Sequence, residues 1–76
     1  ALRRGVEASV ILSLNIDADG RVAMTEVLSV QADRYADDFV KAAERAALRT
    51  RFQPKTVGGR PVPASGVRKR YRFESD

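Results

Sequence analysis

Seventy-six residues are enough for one small domain, in which folding hides only about 60–65% of the unfolded surface. The chain has no cysteine and no histidine. It can therefore build no disulfide framework, no Cys/His zinc site and no Ser-His or Cys-His nucleophile. Hydrophobic residues make up 43% of the chain and its net charge is +4, so a folded domain with a basic surface is expected.

Residues 1–5 read as a tail. Residues 6–16, VEASVILSLNI, place Val6, Ala8, Val10, Leu12, Leu14 and Ile16 on every second position. That period belongs to a strand with one buried face. A helix would gather Glu7, Val10, Ile11 and Leu14 but leave Leu12 and Ile16 unexplained. Asp17-Ala18-Asp19-Gly20 follows, and these residue types favour a turn: Asp bonds its own backbone and Gly takes positive φ cheaply. Residues 21–30, RVAMTEVLSV, read as the second strand of a hairpin over 6–30. Its alternation slips around Glu26–Val27, which predicts a β-bulge or a strand partly covered on both faces.

Residues 31–34 read as a connection, with Asp33 the expected N-cap. Residues 35–51 are predicted helical, since 35–50 are rich in Ala, Lys, Arg and Glu and lack Gly and Pro. One stripe holds Tyr35, Phe39, Ala43 and Ala46, with Ala36, Val40 and Ala47 beside it. Pro54 ends the helix. Residues 53–63, with Gly58, Gly59, Pro61 and Pro63, are expected to be loop. Residues 64–74 form the third predicted strand. Val67, Lys69, Tyr71 and Phe73 share one face, and Arg68, Arg70 and Arg72 the other. The expected fold is α+β: a strand–strand–helix–strand order giving a three-stranded antiparallel sheet with one helix on one face.

Asn15, Asp17, Asp19, Gly20 and Glu26 also match the spacing of a calcium loop, with Asn in place of the first Asp. Such loops need a flanking helix on each side, whereas residues 6–16 alternate like a strand. The hairpin reading is therefore preferred, with no metal and no cofactor.

Several segments resemble the C-terminal domain of TonB-type energy transducers. The stretch Gly5-Val6-Glu7-Ala8-Ser9-Val10 through Ile16-Asp17-Ala18-Asp19-Gly20-Arg21-Val22 is similar to that family's first hairpin. Arg51-Phe52-Gln53-Pro54 resembles the R-F-x-P that ends its helix. Gly59-Arg60-Pro61-Val62 resembles its G-x-P-V loop, and Tyr71-Arg72-Phe73 its final strand. Ala8 stands where Gly is usual, Leu14 where Phe is common, and Thr50 where Trp or Ala is frequent.

The resemblance implies a periplasmic domain of a protein anchored in the inner membrane of a Gram-negative bacterium. The partner it implies is a TonB-dependent outer-membrane transporter, whose TonB box would add as a strand. A proton-driven inner-membrane motor complex would supply energy for siderophore, haem or similar uptake. The third strand lies at the sheet edge in that family. The partner-binding residues would then be Ser65, Gly66, Val67, Arg68, Lys69, Arg70, Tyr71, Arg72 and Phe73. A bare edge would also admit a second copy of the chain, so a homodimer is a further expectation.

A nucleic-acid binder is the rival reading, resting on the basic strand with Tyr71 and Phe73. Stacking needs exposed rings, and these two alternate away from the arginines, so no nucleic-acid partner is expected. No catalytic residue can be nominated, and the chain is read as a non-enzyme.

Overall fold

A computed structural model describes residues 6–75; the predicted tail, residues 1–5, lies outside them. The elements in chain order are β1 (Val6–Ile16), β2 (Val22–Ala32), α1 (Ala36–Arg49), β3 (Lys55–Val57), β4 (Arg60–Val62) and β5 (Ala64–Ser75). The main sheet has the order β2-β1-β5, and β1 runs antiparallel to both neighbours. β2 and β5 therefore run parallel to each other on either side of β1. The helix packs on one face, giving the expected α+β architecture.

β1 is the core of the domain. Its inward residues Ala8, Val10, Leu12, Leu14 and Ile16 are all buried, and the only other buried apolar residues among those described are Ala43 and Ala47 of the helix. Each is 6% exposed or less, so little else hides apolar surface completely. The two alanines let the helix axis approach the sheet closely. Val22, Phe39, Val40, Phe52, Val67, Tyr71 and Phe73 pack around this cluster. Phe39 and Phe73 meet as tilted rings with centroids 5.2 Å apart, tying the helix to β5.

The slip in the β2 pattern is a bulge. Ile11 pairs with Ser29 and Leu12 with Val27, so Leu28 is the extra residue. A second irregularity follows at Ala23, between the pairs Asn15–Met24 and Ile16–Val22. Each bulge shifts which face the later side chains occupy, which is why Val22 and Val27 both meet the helix side.

Four local expectations are corrected. The cap position belongs to Tyr35, in the left-handed region at φ 62, with no side-chain cap; Asp33 lies in the bend before it. Tyr35 is 56% exposed, so it leaves the predicted apolar stripe and carries the Arg34 guanidinium 5.9 Å from its ring centre. Asp37 and Asp38 in the first turn offset the helix dipole in place of a cap.

The helix ends at Arg49, before the predicted 51. Thr50 is extended, its hydroxyl donates to the Ala46 carbonyl at 2.7 Å, and its amide donates to the Ala47 carbonyl at 3.2 Å. Finally, the predicted loop 53–63 contains a second, two-stranded sheet. β3 and β4 pair from Lys55–Val62 to Val57–Arg60, joined by Gly58 and Gly59 at φ 58 and 81. Two successive positive φ values are what a two-residue hairpin turn needs.

Candidate functional site

The candidate site is β5, and its geometry starts at Gly66. The pairing with β1 shifts between Leu14–Val67 and Ile16–Ala64, leaving an extra residue at Ser65-Gly66. Gly66 has φ 69, and its amide donates to the Asn15 side-chain oxygen at 3.2 Å. Beyond this bulge the pairing is continuous. Nine successive pairs run unbroken from Val67–Leu14 to Ser75–Val6.

This register assigns faces. Val67, Lys69, Tyr71 and Phe73 stand opposite Leu14, Leu12, Val10 and Ala8 on the helix side. Arg68, Arg70 and Arg72 stand opposite Ser13, Ile11 and Ser9 on the open side. Val67, Tyr71 and Phe73 are half-buried, while Arg68, Lys69, Arg70 and Arg72 are exposed. Of the predicted site residues, Ser65 and Gly66 form the bulge, and Val67 to Phe73 form the continuous run.

β5 is bonded to β1 on one flank only. In an edge strand, alternate residues direct their N–H and C=O groups away from the sheet. β2 is the other edge, which the sequence did not reveal. The two edges differ in continuity, since no unbroken run on β2 exceeds four residues between its bulges. An extended peptide has a longer continuous template on β5 than on β2.

On the open side, Arg72 meets Glu74 at 3.5 Å, with both side chains about two-thirds exposed (66% and 68%). Such a pair is worth little to stability. No other ion pair forms among the described residues. Ile11, Leu28, Arg68 and Arg70 line a shallow depression on this face. The basic face holds no aromatic side chain among the described residues, because Tyr71 and Phe73 turn to the helix side. The stacking platform that the nucleic-acid reading requires is not assembled there.

The hairpin loop is built for chain reversal. The Asp17 carboxylate accepts from the Asp19 amide at 2.9 Å and the Arg21 amide at 3.0 Å. The Gly20 amide donates to the Asp17 carbonyl at 3.0 Å. Asn15 is engaged by Gly66, and Glu26 lies on β2 opposite Ser13. Residues 15–26 thus run strand–turn–strand, and their oxygens do not converge as the calcium spacing would need. Gly20 also has a role that the sequence did not reveal: its carbonyl accepts from the Phe52 amide at 2.7 Å. This pins the hairpin to the segment after the helix.

Tyr71 carries the one buried side-chain polar atom without a hydrogen-bond partner among the described residues, its hydroxyl. Burial raises its pKa above the usual 10.0. Tyr71→Phe is expected to be neutral or stabilising by about 1 kcal/mol, since it removes an unsatisfied group at little cost in volume. The pH dependence gives the sign. Just above pH 10 the unfolded chain has released this proton and the folded chain still holds it. Stability therefore falls as pH rises past that point. Chemical denaturation of both proteins at neutral and alkaline pH checks this: part of the alkaline loss should vanish in the variant.

Residues 1–74 match the family of the Gram-negative bacterial TonB protein C-terminal domain. The chain belongs to this family. No curated protein and no solved structure gives a match. TonB C-terminal domains are non-enzymatic transducer domains of the Gram-negative periplasm that work with outer-membrane transporters. Among the described residues no helix is long and apolar enough to cross a membrane.

Proposed function

We propose that this TonB C-terminal domain grips the TonB box of an outer-membrane transporter by strand addition along the free flank of β5. Residues 65–73 form the binding segment. The main-chain groups of Val67 to Phe73 supply the hydrogen bonds, and their side chains supply selectivity. The domain then passes on work derived from a proton-driven complex in the inner membrane, where the full-length protein is anchored. The uptake it serves is of siderophore, haem or a similar nutrient.

The observation that carries this reading is the unbroken nine-residue register of an edge strand. Added to family membership, it supports strand addition along this edge. Main-chain recognition tolerates varied peptide sequences, which suits a domain that serves several transporters.

The test is an NMR titration of the isotope-labelled domain with TonB-box peptides. Amide shifts should concentrate in residues 64–75 and in the facing part of β1. A box peptide with proline at its centre should bind at least about tenfold more weakly, because proline removes a ladder donor. Shifts confined to β2, or strong shifts with an oligonucleotide and none with any box, would overturn the proposal.

A further inference from the structure

We infer that the strand which adds to β5 is itself two-faced, with acidic side chains on the open side of the sheet and apolar ones on the helix side. This rests on the strand-addition reading and names the chemical class of segment that the site selects. The argument follows from the register. Side chains alternate between faces along any strand, and directly opposed side chains on adjacent strands interact. A strand laid beside Val67 to Phe73 therefore places every second residue next to Arg68, Arg70 and Arg72. The remaining residues fall next to Val67, Lys69, Tyr71 and Phe73.

The open row lacks compensation. Only Arg72 has an ionic partner among the described residues, Glu74 at 3.5 Å. The cross-strand neighbours of Arg68 and Arg70 on β1 are Ser13 and Ile11, neither charged. Both guanidinium groups are exposed at the flank where the new strand arrives. On the helix side, Val67, Tyr71 and Phe73 are half-buried and already part of the apolar layer, so apolar neighbours extend that layer. Lys69 interrupts it and tolerates a polar residue at the opposing position.

The same row disfavours one pairing with a second copy of this chain. Two β5 strands meeting antiparallel with their centres near Arg70 would set arginine against arginine on one face. Like charges directly opposed destabilise a sheet. In that register the edge favours a strand of opposite charge over a second β5.

The test uses three synthetic peptides as long as the continuous run of β5. The first alternates Glu with Val, the second alternates Lys with Val, and the third has the first one's composition with its acids in one block. They are titrated into the labelled domain and into the double variant Arg68→Glu, Arg70→Glu. Both substituted positions are exposed, and a thermal melt verifies that the variant is folded.

The alternating Glu peptide should bind the wild type at least about tenfold more tightly than the Lys peptide, and more tightly than the block peptide. The variant should reverse the preference for Glu over Lys, and added salt should shrink it. If TonB-box peptides shift β5 while the Glu and Lys peptides bind alike, the charge rule fails and strand addition stands. The rule also fails if the variant keeps the wild-type preference. If no peptide, box peptides included, shifts β5, both proposals fail.

Discussion

Gly20→Ala is expected to lower stability by about 3 kcal/mol and the melting temperature by more than about 10 °C. Two effects combine. Gly20 sits at φ 88, where an L side chain is strained by roughly 1–2 kcal/mol. The added Cβ would also overlap the Phe52 carbonyl oxygen and lie 3.2 Å from its carbonyl carbon. Those are main-chain atoms, and no side-chain rotation can relieve the overlap. The hydrogen bond from the Phe52 amide to the Gly20 carbonyl is lost as the segments part, at about 1 kcal/mol.

Gly58→Ala is the control. Gly58 also has positive φ, 58, but a Cβ there meets nothing within 4 Å. Its cost should stay near 1 kcal/mol, the conformational part alone. Equal losses in urea unfolding would refute the claim that Gly20 is a contact between two segments.

Leu12→Ala should be the most damaging single truncation in the core, at about 2–5 kcal/mol. Leu12 has no exposed surface and lies mid-strand, between Val27 of β2 and Lys69 of β5. The remaining core cannot absorb the void, because three of the seven buried apolar residues among those described are alanines. A chain of this size has a total stability of only about 4–11 kcal/mol, so the variant should be close to unfolded at physiological temperature. Ile11→Ala changes the neighbouring residue on the opposite, open face, where Ile11 is only half-buried. Its cost should be near 1 kcal/mol. Denaturant midpoints for the pair measure the difference between the faces directly.

These contrasts mark what could be read from residue order. β1 was legible because a buried face imposes a two-residue period, and Val10, Leu12 and Leu14 keep it without a break. The faces of β5 were legible for the same reason. β2 was legible as a strand but not in register, because Leu28 and Ala23 are bulged and a bulge is settled by the facing strand. β3 and β4 are three residues each and almost wholly exposed, so they generate no periodicity. Pro61 and Pro63 argued against a strand, and only Gly58-Gly59 announced the turn. The cap at Tyr35 broke the rule that favours Asp33, since a left-handed residue can begin a helix without a side-chain acceptor.

The candidate site was legible in part. Alternation separated Arg68, Arg70 and Arg72 from Tyr71 and Phe73, but it could not say which strand would occupy the middle. A strand–strand–helix–strand order allows the last strand to lie beside either of the first two. Burial decides the matter, because β1 alone carries an unbroken apolar row and takes the centre. The link between Asn15 and Gly66, fifty-one residues apart, left no local signal either.

The domain is long and narrow, 55 Å by 21 Å by 15 Å, and that shape has a mechanical consequence. A tug directed along the sheet reaches the junction of β1 and β5 as shear. The nine neighbouring pairs there share the strain simultaneously, so none yields until nearly all do. A sideways pull would instead unzip them in turn, each with a small force. The direction of traction, rather than the number of bonds, then sets how much tension the molecule withstands before it lets go.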